Sequence, residues 1–135
     1  MKVLSPKRMA RYDEYAIKTW GIPSAVLMEN AGRNTYRLMK ERYLAGGEAI
    51  AVICGRGNNG GDGFVIARYA LIDGFRVRVY LIGRKSDVKG DAALNMGLFE
   101  SLSGEVVECV EKPKLVRTGI GEADLIVDAI FGTGL

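Results

Sequence analysis

Histidine is absent from the 135 residues. Any proton transfer must therefore use Asp, Glu, Lys, Tyr, Cys or water. A zinc site built on Cys and His is excluded, whereas a hard-cation site of oxygen ligands is not. Cysteine is scarce too: Cys54 and Cys109 are the only two. That excludes a disulfide framework and fits small core residues in a reducing, cytoplasmic setting. Charge of one sign is lacking, since 19 basic residues face 16 acidic ones for a net +3. Such a balance does not argue for nucleic acid. Long apolar runs are missing as well; the run Ala49 to Cys54 is far too short to cross a bilayer. The opening stretch "MKVLSPKRMARYDEYAIKTW" soon turns polar, so no secretory signal is expected. Internal repeats and low-complexity linkers are also lacking.

What is present suits one compact domain over residues 1–135, because 48% of them are apolar. Ser5-Pro6 predicts a helix start, with Gly21 as its stop. Met9, Tyr12, Ala16, Ile17 and Trp20 would form its apolar face. Pro23-Ser24 opens a second helix, with Val26, Leu27, Ala31, Leu38 and Met39 as its buried side and Gly46-Gly47 as its end. Strands are predicted over 48–55, 76–83, 105–110 and 123–135, and helices over 60–75 and 89–102. The order strand, helix, strand, helix, strand, strand predicts an α/β, doubly wound, mostly parallel sheet behind N-terminal helices. Strands without polar alternation agree, because both faces of such a sheet are covered. The sequence stops just after the fourth strand, where a doubly wound sheet ordinarily continues. The expectation is a domain truncated after that strand.

The densest chemical signal is "CGRGNNGGDGFVIARYA", residues 54–70. Gly55, Gly57 and Gly60 satisfy G-x-G-x-x-G at a strand-to-helix turn. Without Cβ atoms, a phosphate can approach amides at a helix N-terminus. The plainer reading is that these glycines make tight turns and let helix and strand pack closely. An acidic ribose ligand at the end of the second strand is missing; Gly83-Arg84-Lys85 stands there instead. Those basic residues would favour a phosphorylated ribose or simply form a solvated loop. A P-loop is excluded, because no Gly-Lys followed by Ser or Thr occurs at the turn.

Asn58, Asn59 and Asp62 exceed what a glycine turn needs. Amide oxygens suit a cation and amide NH2 groups suit a ligand. Asn also tolerates a left-handed turn, and Asp62 also suits a helix first turn. The second loop, "VDAIFGTGL" (127–135), places Asp128 in an apolar strand. A buried carboxylate is costly unless paired, hydrogen-bonded or on a metal. With the first and fourth strands as neighbours, both glycine loops would meet at one crevice. Asn58, Asn59, Asp62 and Asp128 would line it.

"PSAVLMENAGR" (23–33), "GRGNNGGDGFVIAR" (55–68) and "VDAIFGTGL" (127–135) together resemble the YjeF N-terminal-domain family, the NAD(P)H-hydrate epimerases. The resemblance implies a Rossmann-like three-layer α/β fold. It implies an enzyme that interconverts the epimers of NADH or NADPH carrying water at C6 of the nicotinamide ring. It implies a dehydratase, fused or separate, as the partner in repair. It further implies potassium on Asn59 and Asp128. Substrate contacts are implied from Asn58, Asn59, Gly60, Gly61 and Asp62, and from Gly132, Thr133, Gly134 and Leu135. Asp128 and Asp62 are the candidate proton-transfer groups, since burial can raise a carboxyl pKa. Acid and base stay unassigned between them. Neither a nucleic acid nor a membrane is an expected partner, and a homodimer is left open.

"MENAGR" admits two readings. Glu29, Asn30 and Arg33 either serve helix packing and the surface, with Ala31 and Gly32 allowing close approach, or brace the loop 57–62. Two further functions compete with the epimerase. A non-catalytic scaffold of this fold has no evident need for both the amide pair and the strand carboxylate. An NADP-dependent oxidoreductase lacks a visible Tyr–Lys relay, and Tyr69 reads as core.

Overall fold

The computed structural model describes residues 4–110 and 112–132. Helices α1 (Pro6–Lys18) and α2 (Ser24–Tyr43) come first. They are followed by β1 (Ala49–Cys54), α3 (Asn58–Ile72), β2 (Arg76–Leu81) and a 3-10 turn at Lys85–Asp87. Next come α4 (Gly90–Ser101), β3 (Glu105–Glu108), α5 (Pro113–Gly121) and β4 (Leu125–Ala129). The four strands form one all-parallel sheet in the order β3-β2-β1-β4. The fold class is therefore α/β, as the motif order implied.

Three layers result. α3 lies directly on the sheet between α2 and α4, and α5 covers part of the other face. The main core joins Ile50, Val52 and Cys54 of β1 with Phe64 and Ala67 of α3 and Phe99 of α4. A smaller cluster of Ala51, Tyr80 and Cys109 lies under α5. Both cysteines are buried and unbridged, and burial pushes both thiols up. Among the described residues no helix is long and apolar enough to cross a membrane.

Alternate residues of β4 differ in burial. Leu125, Val127 and Ala129 face α3, whereas Ile126 and Asp128 stand exposed on the other face. Two expectations are corrected here. The continuous apolar strand does not have both faces covered, and Asp128 is not a buried carboxylate. The desolvation argument for Asp128 falls with that correction.

Other departures have local causes. α5 was not anticipated, because its nine residues include two glycines and its buried positions are few. Its anchor is Gly119, where a Cβ would lie 1.9 Å from the Tyr80 ring. α2 buries Met28, Gly32, Tyr36 and Met39, not Val26, Ala31 or Leu38. Gly32 explains the shift: a Cβ there would sit 2.5 Å from Val65 Cβ, so the two backbones approach through a residue with no apolar weight. On α1 only Ala16 is buried, while Met9, Tyr12 and Ile17 are exposed, and Trp20, just past its end, is 69% exposed. α3 begins at Asn58, so Asp62 lies in its second turn, not its first.

α3 owes its seat on the sheet to another glycine. A Cβ at Gly63 would lie 2.7 Å from both Ala129 Cβ and Cys54 Sγ. Gly63→Ala is expected to lower unfolding free energy by about 1–3 kcal/mol, the usual cost of overpacking a rigid core. Urea denaturation of the two proteins measures it. An unchanged midpoint would mean that helix and sheet are not in contact here.

Candidate functional site

The sheet's backbone ladder runs past its C-terminal edge. Gly55 N donates to Ala129 O at 3.0 Å, and Ile82 N donates to Cys54 O at 2.8 Å. The loops after β1, β2 and β4 therefore leave the same edge side by side. β1 is the strand where the chain order turns back, with β2 on one flank and β4 on the other. Ligands bind doubly wound sheets at such a point.

The turn after β1 is compressed almost to the limit of a polypeptide. A Cβ on Gly55 would lie 2.0 Å from Ile130 O, and one on Gly60 would lie 1.9 Å from Gly55 O. Gly61 has Met28 Sδ at 2.5 Å from its would-be Cβ. The plainer reading of these glycines is thus right for Gly55, Gly60 and Gly61: all three are buried by close packing. Gly57 differs. It is exposed, its would-be Cβ meets nothing within 4 Å, and it stands at the N-cap of α3. The first intrahelical bond runs from Gly61 N to Gly57 O at 3.0 Å. The amides of Asn58, Asn59 and Gly60 precede that bond and have no partner within the helix. That is the polarity an anion seeks.

A cleft of about 1080 Å³ opens over this helix end. Arg56, Asn58, Asn59 and Asp62 line it from the first loop and α3. Ile130, Phe131 and Gly132 line it from the loop after β4. α1 supplies the remaining wall through Ala10, Asp13, Glu14, Ile17 and Lys18. Asn59 Nδ2 donates to Phe131 O at 2.9 Å, which latches the two loops together. Asp128 Oδ1 accepts from Ile130 N at 3.0 Å. Asn59 and Asp128 thus hold the same short segment, at the same end of the sheet. Asp128 is not among the residues lining the cleft.

Asp62 is half-buried, and its carboxyl is pushed up to about 6, first by burial and then by the negative charge of Asp13. Its side chain has no ion-pair partner among the described residues. Lys18 pairs with Glu14, and Arg56 stands 3.7 Å from Asp87.

The chain matches the family described as "YjeF-related protein N-terminus" over residues 24–135. It belongs to that family. It is 41% identical to the bifunctional NAD(P)H-hydrate repair enzyme Nnr of Moorella thermoacetica, covering 99% of this chain and 26% of that protein. It is 37% identical to the NAD(P)H-hydrate epimerase of Rhodopirellula baltica, covering 95% of this chain and 51% of the relative. A crystal structure of a yeast protein superposes with a TM-score of 0.83 at 29% identity, over 100% of this chain and 58% of that one. The chain thus spans between about a quarter and three-fifths of the lengths of these proteins.

Several sequence readings meet the geometry of this YjeF-type domain directly. Asn58, Asn59, Asp62 and Gly132 come together in the cleft, whereas Gly60 and Gly61 lie beneath it. Thr133, Gly134 and Leu135 lie outside the described residues. Glu29 serves packing: it pairs with Arg68 and accepts from Tyr69 Oη at 2.7 Å, tying α2 to α3. Asn30 Oδ1 accepts from Arg33 Nη2 at 3.1 Å on the surface. Lys85 is bound to Glu100 at 2.6 Å, so of the Arg84-Lys85 pair Arg84 alone is a solvated basic residue. The α1 wall went unforeseen, because its polar residues read as an ordinary solvated face. The only available signal was the i, i+3, i+4, i+7 spacing of Ala10, Asp13, Glu14 and Ile17, which sets them on one helix face.

Two glycines make opposite predictions. Gly55→Ala is expected to cost more than about 2 kcal/mol, because the clash is with backbone and cannot be relieved by a rotamer. Gly57→Ala is expected to change stability by less than about 1 kcal/mol, since lost capping preference and a stiffer unfolded chain oppose each other. Thermal unfolding of both variants checks the contrast. Equal losses would contradict the geometry of the turn.

Proposed function

We propose that this domain epimerises hydrated NADH or NADPH, with Asp62 as an acid–base group. The carrying observation is a half-buried carboxyl pushed up to about 6, in a cleft over an exposed helix N-terminus. Relatives named NAD(P)H-hydrate epimerase, at 34 to 37% identity, support the same reading.

The chemistry explains why such a carboxyl is useful. C6 of the nicotinamide ring adjoins the ring nitrogen, so a hydroxyl on C6 forms a hemiaminal. Protonating that hydroxyl lets it leave as water while the nitrogen lone pair forms a planar iminium. Water adding to the other face, with loss of one proton, yields the second epimer. Protons and oxygen balance over the cycle. A group titrating near neutrality can both give and recover a proton, which neither an ordinary Asp nor an ordinary Lys does efficiently. The free amides of Asn58 and Asn59 suit the substrate's pyrophosphate. Gly132 and the residues after it would close the other side.

Potassium would be held by Asn59 and Asp128. Asn59 gives its NH2 to Phe131, which leaves its Oδ1 as acceptor, and Asp128 keeps Oδ2 beside the Oδ1 engaged by Ile130. Amide and carboxylate oxygens are the donor set a hard cation takes. When bound, the ion supplies fixed positive charge for orienting substrate oxygens. Exposed and tied to Ile130, Asp128 fits this role better than proton transfer at C6. The product partner is a stereospecific dehydratase, fused or separate.

The test couples the full-length protein to such a dehydratase and follows recovery of the reduced cofactor's absorbance from the slow epimer. Acceleration over spontaneous epimerisation is expected; none would favour a binding scaffold. Asp62→Asn is expected to lower kcat/KM by roughly 10²- to 10⁴-fold. The same variant is expected to unfold at a higher temperature than the parent at pH 8. The reason is a matter of sign: a carboxyl whose folded pKa exceeds its unfolded value destabilises the fold once it ionises, as pH rises from about 3.8 through about 6. The difference should fade below pH 4. Exchanging potassium for a bulky organic cation is expected to slow turnover, and an unchanged rate would remove the ion from the proposal.

A further inference from the structure

Epimerisation through a planar iminium poses a geometric demand. Water leaves from one face of the ring and returns to the other. One carboxyl on one wall serves one face well. A second group is needed on a different wall, in the opposite protonation state.

The cleft contains one such candidate. α1 meets the domain chiefly through α2, and Ala16 is its one buried residue. It is held back by the turn in which Ile22 N donates to Ala16 O at 3.1 Å, with Gly21 at φ 68°. This posture turns Asp13 into the same cleft that Asp62 enters from α3. The other charged groups there are accounted for. Glu14 is paired with Lys18, and Arg56 leans toward Asp87. No lysine or arginine among the described residues pairs with either Asp13 or Asp62. From α2, Gly32 lies against the Asp62 backbone and Met28 against Gly61, and neither brings charge. Two carboxyls on separate helices therefore share one cleft, and neither has an ion-pair partner among the described residues. Asp13 is exposed, whereas Asp62 is half-buried.

We propose that Asp13 is the second acid–base residue of the site, acting from the α1 wall while Asp62 acts from the α3 wall. The inference rests on the epimerase reading. In one direction Asp62 protonates the departing C6 hydroxyl, which leaves as water. The Asp13 carboxylate then takes the proton released as water adds to the opposite face. The reverse direction exchanges the two roles. The pair carries one proton before and after each turnover and none while the ring is an iminium, when the proton has left with the departing water; no oxidant or further reactant is required. α1 then contributes chemistry as well as enclosure.

The experiment uses the full-length protein and three variants: Asp13→Asn, Asp13→Glu and Asp62→Asn. Circular dichroism should match the parent for both Asp13 variants, and neither should unfold at a lower temperature, since the side chain is exposed. Asp13→Asn is expected to lower kcat/KM by roughly 10²-fold or more in both directions. Asp13→Glu, which keeps the charge, should recover much of it. Independently of turnover, carboxyl carbon NMR should find Asp62 titrating on the order of half a pH unit lower in Asp13→Asn, as one charge across a wet cleft provides. It should still titrate above an ordinary Asp, because its burial remains. An unmoved Asp62 titration, or full activity in Asp13→Asn, would overturn the pair. If the parent itself fails to accelerate epimerisation while the titration moves as expected, the epimerase reading falls and the carboxyl coupling stands.

Discussion

The contact between the Gly55–Gly60 turn and the backbone of Ile130 underlies everything else in this domain. Two carbonyl oxygens lie where side-chain carbons would otherwise stand, at 2.0 and 1.9 Å from the would-be Cβ positions. Only that compression brings the start of α3 against the loop after β4. Parallel pairing of β1 with β4, with Cys54 opposite Ala129, then fixes how the two loops face each other. The Asn59 bond to Phe131 joins them above the sheet. Loosen the turn, and the cleft loses its floor and its latch together.

From this constraint follows a division of labour among glycines that look alike in sequence. Gly55, Gly60, Gly61 and Gly63 are spacers for packed backbone and side chains, whereas Gly57 alone opens toward solvent at the helix N-terminus. Tight packing and an open helix N-terminus are superimposed on nine residues. The same economy operates in α2, where Gly32 admits Val65 and so brings Met28 over Gly61. Asn95, only 2% exposed, closes this region by donating from Nδ2 to Asp91 O at 3.0 Å and to Met28 Sδ at 3.4 Å.

The electrostatics depend on a helix that contributes almost nothing to the core. α1 buries a single alanine, yet it walls the cleft and sets two carboxyls in one solvent pocket. Half-burial of Asp62 would be an ordinary cost in another protein. Here it gives a group that changes protonation state near neutrality in a chain with no histidine to do so. Membership of the YjeF N-terminal family rests on the match over residues 24–135, in agreement with the three motifs.

Local chemistry determined a good deal by itself. Alternating apolar runs and helical patterns announced the parallel α/β sheet, and glycine signals fell two residues past the end of α3 and three past the end of α2. The stretch Asn58 to Asp62 marked a candidate site because those residue types exceed what a turn requires, and Asn58, Asn59 and Asp62 do line one cleft. Only tertiary structure decided the rest. Asp128 looked buried in an apolar run, but burial depends on what covers a sheet face, and that face of β4 is open. The apolar faces expected of α1 and α2 were displaced because contact there runs through Ala16 and Gly32, which carry little hydrophobic weight. α5 was missed because its seat is a glycine under a tyrosine ring. Asp13 was invisible as a site residue, since nothing in a solvated helix face records which cleft it borders. Each of these turns on distances between segments far apart in the chain, which residue type and spacing do not encode.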